Sequence, residues 1–348
     1  MSESTQPATA ELTPSAAMLR VITGFRVSRA VYVAAKLGVA DLLKDGPRSS
    51  EELAQMTGTH EPSLYRVLRA LVSVGIFVEA GQGRFALTPT AATLRNDIPG
   101  SLRAWVILVL GEEHYQAWGD LMHTIRTAET SFNHVFGMGV FQYEAQHSEH
   151  AKIFDQAMAN LVGVYNAAVL ASYSFSSIEK IVDVGGGDGS LIRAILQGNP
   201  SITGILFDMP HVAETAKRKI AEAGLSGRCE VIAGDAFVAV PSGGDACILS
   251  RVINSFENER ALVILRNCRR ALTKNGKLLL VERALPERVE NSIEAQGPIM
   301  SDLNMMVMSG GRERTATEHR DLLAQAGFAL TRIIPTQSEV SVIEAEPA

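Results

Sequence analysis

Along MLRVITGFRVSRAVYVAAKLGVADLL, residues 18–43, apolar side chains return every three or four positions, and DGP at 45–47 ends the run. That period predicts a long helix stopped by a turn. Over the next segment, 49–88, Ser49 or Ser50 caps a short helix with Glu52 in its first turn, a turn is expected at Thr57–Glu61, and Pro62 opens a second helix. GIFVEAGQGRFAL then reads as a hairpin around Gly81–Gly83. Two helices and a wing predict a winged-helix unit over 16–100, and helical patterns continue to about 170. From about 175 the texture changes. IEKIVDV, ITGILFDM, CEVIAGD, DACILSRV, GKLLLVERAL and a closing ALTRIIP or VSVIEAE are strand patterns, separated by helical segments such as HVAETAKRKIAEAG and ERALVILRNCRRAL. Strand and helix in alternation predict an α/β domain over 171–348, a mostly parallel sheet covered on both faces, with linking helices at 101–170.

A winged helix raises the question of DNA, and the second helix answers it. Arg66 and Arg69 stand among Leu64, Tyr65, Val67, Leu68, Leu71 and Val72, too apolar for a reading face in the major groove. The formal charge of −6 also argues against a polyanion partner. The apolar surplus over 16–80 is instead expected to be buried against a second subunit, most economically as a homodimer. Length and composition then bound the rest: 348 residues suffice for two domains with cores of their own. Cys229, Cys247 and Cys268 are scattered without CxxC spacing, so reduced thiols are expected, with neither a disulfide framework nor a zinc site. The first fifteen residues are polar and lack both a basic start and an apolar stretch, so a disordered tail, no signal peptide and a cytoplasmic protein are expected. The strongest apolar stretch, AWVILVLG at 104–111, is far too short to span a membrane.

Candidate chemistry centres on IVDVGGGDGS at 181–190. A strand, a bare turn and a helix are implied, and in parallel sheets ligands lie at the carboxyl ends of the strands. The dinucleotide fingerprint needs a third glycine at 190, where Ser190 stands, and no P-loop lysine appears. What remains is Asp183-x-Gly185-x-Gly187-x-Gly189, a register that lets a ligand lie against the backbone. Asp208, at the end of the second strand, suits the two hydroxyls of a ribose. Asp235 and Phe237, after the third, offer an acceptor for an exocyclic amine and an aromatic face for a purine. Acids following three successive strands point to a nucleoside.

Asp183–Gly189, Asp208, Gly234–Phe237 and the tail GGRERTATEHRDLLAQAGF, together with AAKLGVADLL, EELA and RVLRALVSVGIF near the N-terminus, resemble the S-adenosylmethionine-dependent O-methyltransferases of the plant caffeate and bacterial polyketide-tailoring type. The resemblance runs from about residue 18 to the end. It implies a Rossmann-like class I methyltransferase domain with a seven-stranded sheet, an N-terminal winged-helix dimerisation domain, S-adenosyl-L-methionine as cofactor and a small aromatic substrate. By that similarity Gly185 and Gly187 would contact the methionine portion of the cofactor, Asp208, with Met209 beside it, the ribose, and Asp235, Ala236 and Phe237 the adenine. Ser250 or Arg251 would meet the outer edge of the purine. Phe154 and Met158 match an F-x-x-x-M helix that reaches over the sulfonium, a cation that aromatic and polarisable surfaces favour.

The departure lies after the fourth strand. Where the family usually carries a histidine as general base, VINSFENE places Asn254, an amide that accepts no proton near neutrality. Two acids that steer that histidine in plant members are in register as Glu282 and Glu313, and some bacterial anthracycline-tailoring relatives also carry asparagine. Losing a general base forfeits about 10²- to 10⁴-fold in rate. Holding nucleophile and methyl group in line supplies about 7 to 11 kcal/mol. Methylation of a phenolic hydroxyl by proximity, with Asn254 orienting the acceptor oxygen, is therefore the leading expectation. The alternatives are N- or C-methylation, a non-methylating reaction such as hydroxylation or cyclisation on the same fold, and a ligand-sensing DNA-binding regulator. An acceptor slot is expected from Trp118, Met122, Phe136, Phe141, Met305 and Met308, with His114, His123 and His134 as possible substitute bases.

Overall fold

The first helix begins where a threonine meets a proline. Thr13 Oγ1 accepts a hydrogen bond from the Ala16 N–H at 3.3 Å and Pro14 takes the first helical position, where its missing N–H costs nothing. A computed structural model describes residues 13–348. Of the tail expected over 1–15, residues 1–12 lie outside the described part, whereas Pro14 and Ser15 are already helical.

The chain divides into two compact units, through Gly111 and from Glu112 onward, so the helix Arg103–Val109 belongs to the first unit rather than to linking helices. In the first unit the helix Pro14–Lys36 is followed by Ser50–Thr57 and Glu61–Ser73. The strands Phe77–Glu79 and Arg84–Leu87 form an antiparallel hairpin, to which Arg48–Ser49 adds a third strand. Ser49, rather than Ser50, is the cap: it and Glu52 exchange reciprocal side-chain-to-backbone bonds at 3.2 and 2.6 Å. Leu64, Leu68 and Leu71 are buried with Leu53, Phe77 and Phe85 in this unit's own core. The apolar surplus of the second helix is thus consumed internally. The face without an intramolecular partner belongs to the first helix, where Met18, Leu19, Val21, Ile22 and Phe25 are exposed.

In the second unit seven strands form one sheet: β1 (Lys180–Val184), β2 (Thr203–Asp208), β3 (Cys229–Ala233), β4 (Ala246–Ser250), β5 (Lys277–Glu282), β6 (Phe328–Pro335) and β7 (Ser341–Pro347). Their order is β6-β7-β5-β4-β1-β2-β3. Both closing segments are strands, where the sequence left a choice of one. β7 inserts antiparallel between β5 and β6, and the rest is parallel. Along the strands alternate residues feed opposite cores: Val182, Ile205, Leu249 and Leu280 on one face, Ile181, Leu206, Ile248 and Val281 on the other. Burial on both sides is why these strands read as near-continuous apolar runs. The chain leaves β1 toward β2 and β3, then returns to the other side of β1 as β4. The strand order therefore reverses between β1 and β4, and their carboxyl ends open the crevice where ligands bind in such sheets. Helices Glu112–Gly119, Val140–Gln146, Ser148–Ser172 and Ile293–Met308 belong to the same unit. No helix among the described residues is long and apolar enough to cross a membrane, and the three cysteines are buried and unbridged.

Candidate active site

The turn after β1 is shaped for close approach of a ligand. Gly185, Gly187 and Gly189 all sit at positive φ, +71°, +57° and +78°, which side chains with a Cβ adopt only under strain. A Cβ on Gly187 would meet nothing within 4 Å, so this glycine faces open space. Its N–H donates to Asp208 Oδ2 at 2.8 Å, and Met209 N–H donates to Oδ1 at 2.6 Å. The carboxylate at the end of β2 is thereby aimed back across the crevice. Behind it, Asp183 is fully buried and neither of its oxygens has a hydrogen-bond partner. Burial, helped by the Asp208 carboxylate, pushes its carboxyl up to about 7. After β3, Asp235 accepts from the Phe237 N–H at 2.8 Å, the turn role expected of an isolated aspartate. The Phe237 ring stands edge-on to Phe256 at 5.1 Å, and the Arg260 guanidinium lies 4.4 Å from its centre. Ala236 O receives the Asn267 amide at 2.8 Å. Phe154 and Met158 are half-buried, one turn apart on the helix Ser148–Ser172.

After β4 lies a cluster that sequence patterns did not reveal. Arg251 donates to both oxygens of Glu313, at 3.0 and 2.7 Å, and to Glu282 at 3.1 Å. The guanidinium of Arg251, with Ser250 one of two candidates for the purine edge, is engaged by these two buried carboxylates, which require a cation. Arg283 adds a bond to Glu313 at 3.3 Å, and Ser301 another at 2.9 Å. Burial opposes the Glu313 charge, but the Arg251 and Arg283 bonds prevail and hold its carboxyl below the ordinary range. Glu282 goes the other way. Burial, opposed by Arg251 and helped by Glu313, brings it up to about 7.

Asn254 hangs from this cluster. Glu282 Oε1 accepts the N–H groups of Ile253 at 2.9 Å and Asn254 at 3.4 Å. The Asn254 carbonyl takes the Arg312 N–H at 2.8 Å, and the buried Arg314 reaches the carbonyls of Ile253 and Phe256 at 3.2 and 2.9 Å. A Cβ on Gly311 would come within 2.1 Å of Asn254 O, so only glycine fits. Glu282 and Glu313, expected as acids that steer the residue at 254, thus hold the backbone and ion pairs around Asn254. The Asn254 side chain is buried. Its Nδ2 faces Met305 Sδ at 3.6 Å, and its Oδ1 accepts from nothing.

The residues expected to line the acceptor slot are divided. Trp118 and Phe136 pack around Phe132, Val307 and Met308, and Trp118 Nε1 donates to Asn304 Oδ1 at 3.0 Å. Met305, next along the helix, touches Asn254. Met308 itself is core, and Met122 and Phe141 are 59% and 55% exposed, because their helix positions turn away from the cluster. The three histidines also separate. His123 and His134 stack at 3.6 Å and bond Glu129 and Asp120 at 2.9 and 2.7 Å, in a surface group that brings ligand-type atoms of Asp120, His123 and His134 within 4.8 Å of one another. His114 is buried, and burial pushes it down to about 4, too weak a base for service near neutrality.

A model of the O-methyltransferase domain matches residues 118–329, and one of the O-methyltransferase dimerisation domain matches residues 19–97. The chain belongs to the O-methyltransferase family. Phenazine O-methyltransferase PhzM of Lysobacter antibioticus is 46% identical over 96% of each chain. O-demethylpuromycin-O-methyltransferase of Streptomyces alboniger is 37% identical over 95% of this chain and 88% of its own. The crystal structure of LaPhzM superposes with a TM-score of 0.89 at 45% identity, covering 97% of this chain and all of that one. The O-methyltransferase NcsB1 of neocarzinostatin biosynthesis, solved with S-adenosylmethionine and 2-hydroxy-5-methyl naphthoic acid, superposes at 0.83 with 31% identity over 98% and 100% of the two chains. S-adenosylmethionine is the cofactor of this O-methyltransferase, and the crevice fits it: open space over Gly187, an acceptor-only carboxylate at Asp208 and the Phe237 ring beside Asp235 are what an adenosyl group requires.

This methyltransferase also carries a histidine with a separate signature. His319 is buried, neither ring nitrogen has a partner, and burial, reinforced by Arg314, pushes it down to about 4. A folded-state value below the unfolded one means that stability is fully present above pH 6.5 and is lost as pH falls toward 4. In His319→Leu the loss of unfolding free energy between pH 7 and pH 4 should shrink by about 3 kcal/mol. Denaturant titrations at the two pH values check this, and equal acid sensitivity of variant and wild type would refute it.

Proposed function

We propose that this enzyme methylates a hydroxyl, phenolic in character, on a small aromatic secondary metabolite of two or three fused rings, acting as a homodimer through its N-terminal unit. The observation that carries the reading is the buried Asn254 Oδ1, a hydrogen-bond acceptor with no donor among the described residues. An unmet buried acceptor costs about 1 to 3 kcal/mol, and a substrate O–H is the group that relieves it. The bicyclic and tricyclic substrates named for NcsB1 and PhzM support the acceptor class. The exposed apolar face of the first helix, within the matched dimerisation domain, supports the dimer.

In this mechanism Gly185 and Gly187 receive the methionine portion of the cofactor, Asp208 and Met209 the ribose, and Asp235, Ala236 and Phe237 the adenine, with Ser250 beside the purine and Gly189 and Asp183 shaping the turn. The cofactor supplies the electrophilic methyl group. Phe154 and Met158, half-buried on the helix Ser148–Ser172, would shield that group from water. Trp118, Phe136 and Met305 would hold the acceptor ring flat while Asn254 accepts its O–H as a hydrogen bond and so orients the oxygen. Asn254 has no protonation equilibrium near neutrality, so the proton passes to solvent according to the acidity of the phenol itself, and the Asn254 Nδ2 group is the donor that can then hold the phenolate oxygen. Glu282 and Glu313 serve as positioning residues through the backbone at 253–254.

The test is methyl transfer from labelled S-adenosylmethionine to a panel of hydroxylated naphthoquinones and phenazines, with the methylated atom assigned by NMR. A rate that climbs with pH along each acceptor's own ionisation supports orientation by Asn254. A profile fixed to one enzyme pKa across all acceptors, or label on nitrogen alone, would overturn the reading. Asn254→Ala should lower kcat/KM by about 10-fold, the worth of one oriented hydrogen bond, with cofactor affinity unchanged by calorimetry.

A further inference from the structure

His114 and His150 are both more than nine-tenths buried, His114 on the helix Glu112–Gly119 and His150 on Ser148–Ser172. His114 Nδ1 and both ring nitrogens of His150 have no hydrogen-bond partner. The nearest charged group, Glu113 Oε2, stands 3.9 Å from His150 Nε2, beyond hydrogen-bond reach. Tyr143 stands edge-on to His150 at 5.7 Å and stacks on His147 at 3.7 Å, and the two buried histidines are close enough to oppose each other's charge. Three buried ring nitrogens without partners are costly unless something fills them.

Their helix positions point to what does. His150, Phe154 and Met158 fall at i, i+4 and i+8, one stripe on one helix, and His114 shares a face with Trp118 at i+4. Trp118 bonds Asn304, and the adjacent Met305 touches Asn254. His114 thus shares its helix face with the tryptophan that reaches the neighbour of Met305, and His150 lies about 12 Å along its own helix from Met158. That reach exceeds a single benzene ring and matches two or three fused rings.

We propose that the unpartnered ring nitrogens of His114 and His150 grip an uncharged polar edge of the acceptor, a hydroxyl, carbonyl or ring nitrogen remote from the reacting oxygen, and select such acceptors over carboxylated ones. The inference rests on the aromatic-acceptor reading above and deepens it. Burial disfavours the charged form of both imidazoles, so the role assigned to them is the exchange of hydrogen bonds rather than protons. Glu113 already brings one negative charge to the pair, with the Tyr143 hydroxyl and His147 as the other titratable neighbours. A second carboxylate would meet that charge in a desolvated site.

The experiment measures methylation of a hydroxyphenazine and of its carboxylated counterpart by the full-length enzyme and by His150→Phe, His150→Gln and His114→Gln, with cofactor binding by calorimetry as a check on folding. The wild type should favour the uncharged ring by about 10-fold or more in kcat/KM. His150→Phe should raise the acceptor KM by about 5- to 50-fold at unchanged kcat and cofactor affinity, and His150→Gln, which keeps hydrogen-bonding capacity, should recover part of it. An unchanged acceptor KM in His150→Phe and His114→Gln, a wild-type preference for the carboxylated ring, or a collapse of kcat with KM intact in His150→Gln would overturn the proposal. A wild type that binds the cofactor but methylates neither ring overturns the functional reading itself.

Discussion

Glu313→Ala should lower the unfolding free energy by about 3 to 5 kcal/mol, the usual cost of removing one partner from a buried ion cluster. The loss is large because two cations converge on one carboxylate: Arg251 through both of its Nη atoms and Arg283 through one. With the carboxylate gone, Arg283 retains Glu339 and Tyr165, but Arg251 keeps only Glu282. Glu282 would then be drawn toward the orphaned guanidinium and away from the Ile253 and Asn254 N–H groups. Turnover should therefore fall beyond what the lost stability explains. Chemical denaturation with kcat/KM on the same preparation measures both, and Glu313→Gln should retain more of each than Glu313→Ala. A variant with wild-type stability would show that the cluster is not what holds the segment after β4.

Asp208→Ala should weaken S-adenosylmethionine binding by about 10²- to 10⁴-fold, the worth of two hydrogen bonds to a charged acceptor. The carboxylate is already fixed by the Gly187 and Met209 N–H groups, so ribose hydroxyls, on the reading proposed above, would meet it without reordering. Those same bonds make the substitution cost more than ribose contacts alone, since the Gly187 turn loses its anchor. Asp208→Asn should fall between wild type and alanine. Calorimetric titration with cofactor and with S-adenosylhomocysteine decides, and an affinity within a few-fold of wild type would remove Asp208 from the cofactor site.

Much of this architecture is written locally. The strands after 175 announce themselves because both sheet faces are buried, and the turn at Gly185–Gly189 because its backbone conformations exclude side chains. The Ser49–Glu52 cap is legible for the same reason, since its partners lie three residues apart. The site behind Asn254 is not written locally. Arg251 meets Glu282 and Glu313 across 31 and 62 residues, and an arginine following a strand reads as a surface residue until its partners are brought beside it. The same holds for Arg314, which stands in the RERT motif yet acts on carbonyls 58 and 61 residues earlier. Which face a helix buries is less legible. The apolar residues of Glu61–Ser73 fill the core of their own unit, while Met122 and Phe141, expected in the slot with Trp118, are exposed. Both closing segments are strands because β7 runs antiparallel into the gap beside β5, a choice made by the finished sheet.

The missing Cβ of Gly311 has a wider consequence. Because the neighbouring loop presses directly on the Asn254 carbonyl, the main chain there is held by atoms that do not depend on which side chain occupies position 254. Scaffold and reagent are thus separable: the fold offers a fixed socket, and a lineage can exchange an amide for an imidazole there, changing how protons are handled, without rebuilding the walls around it.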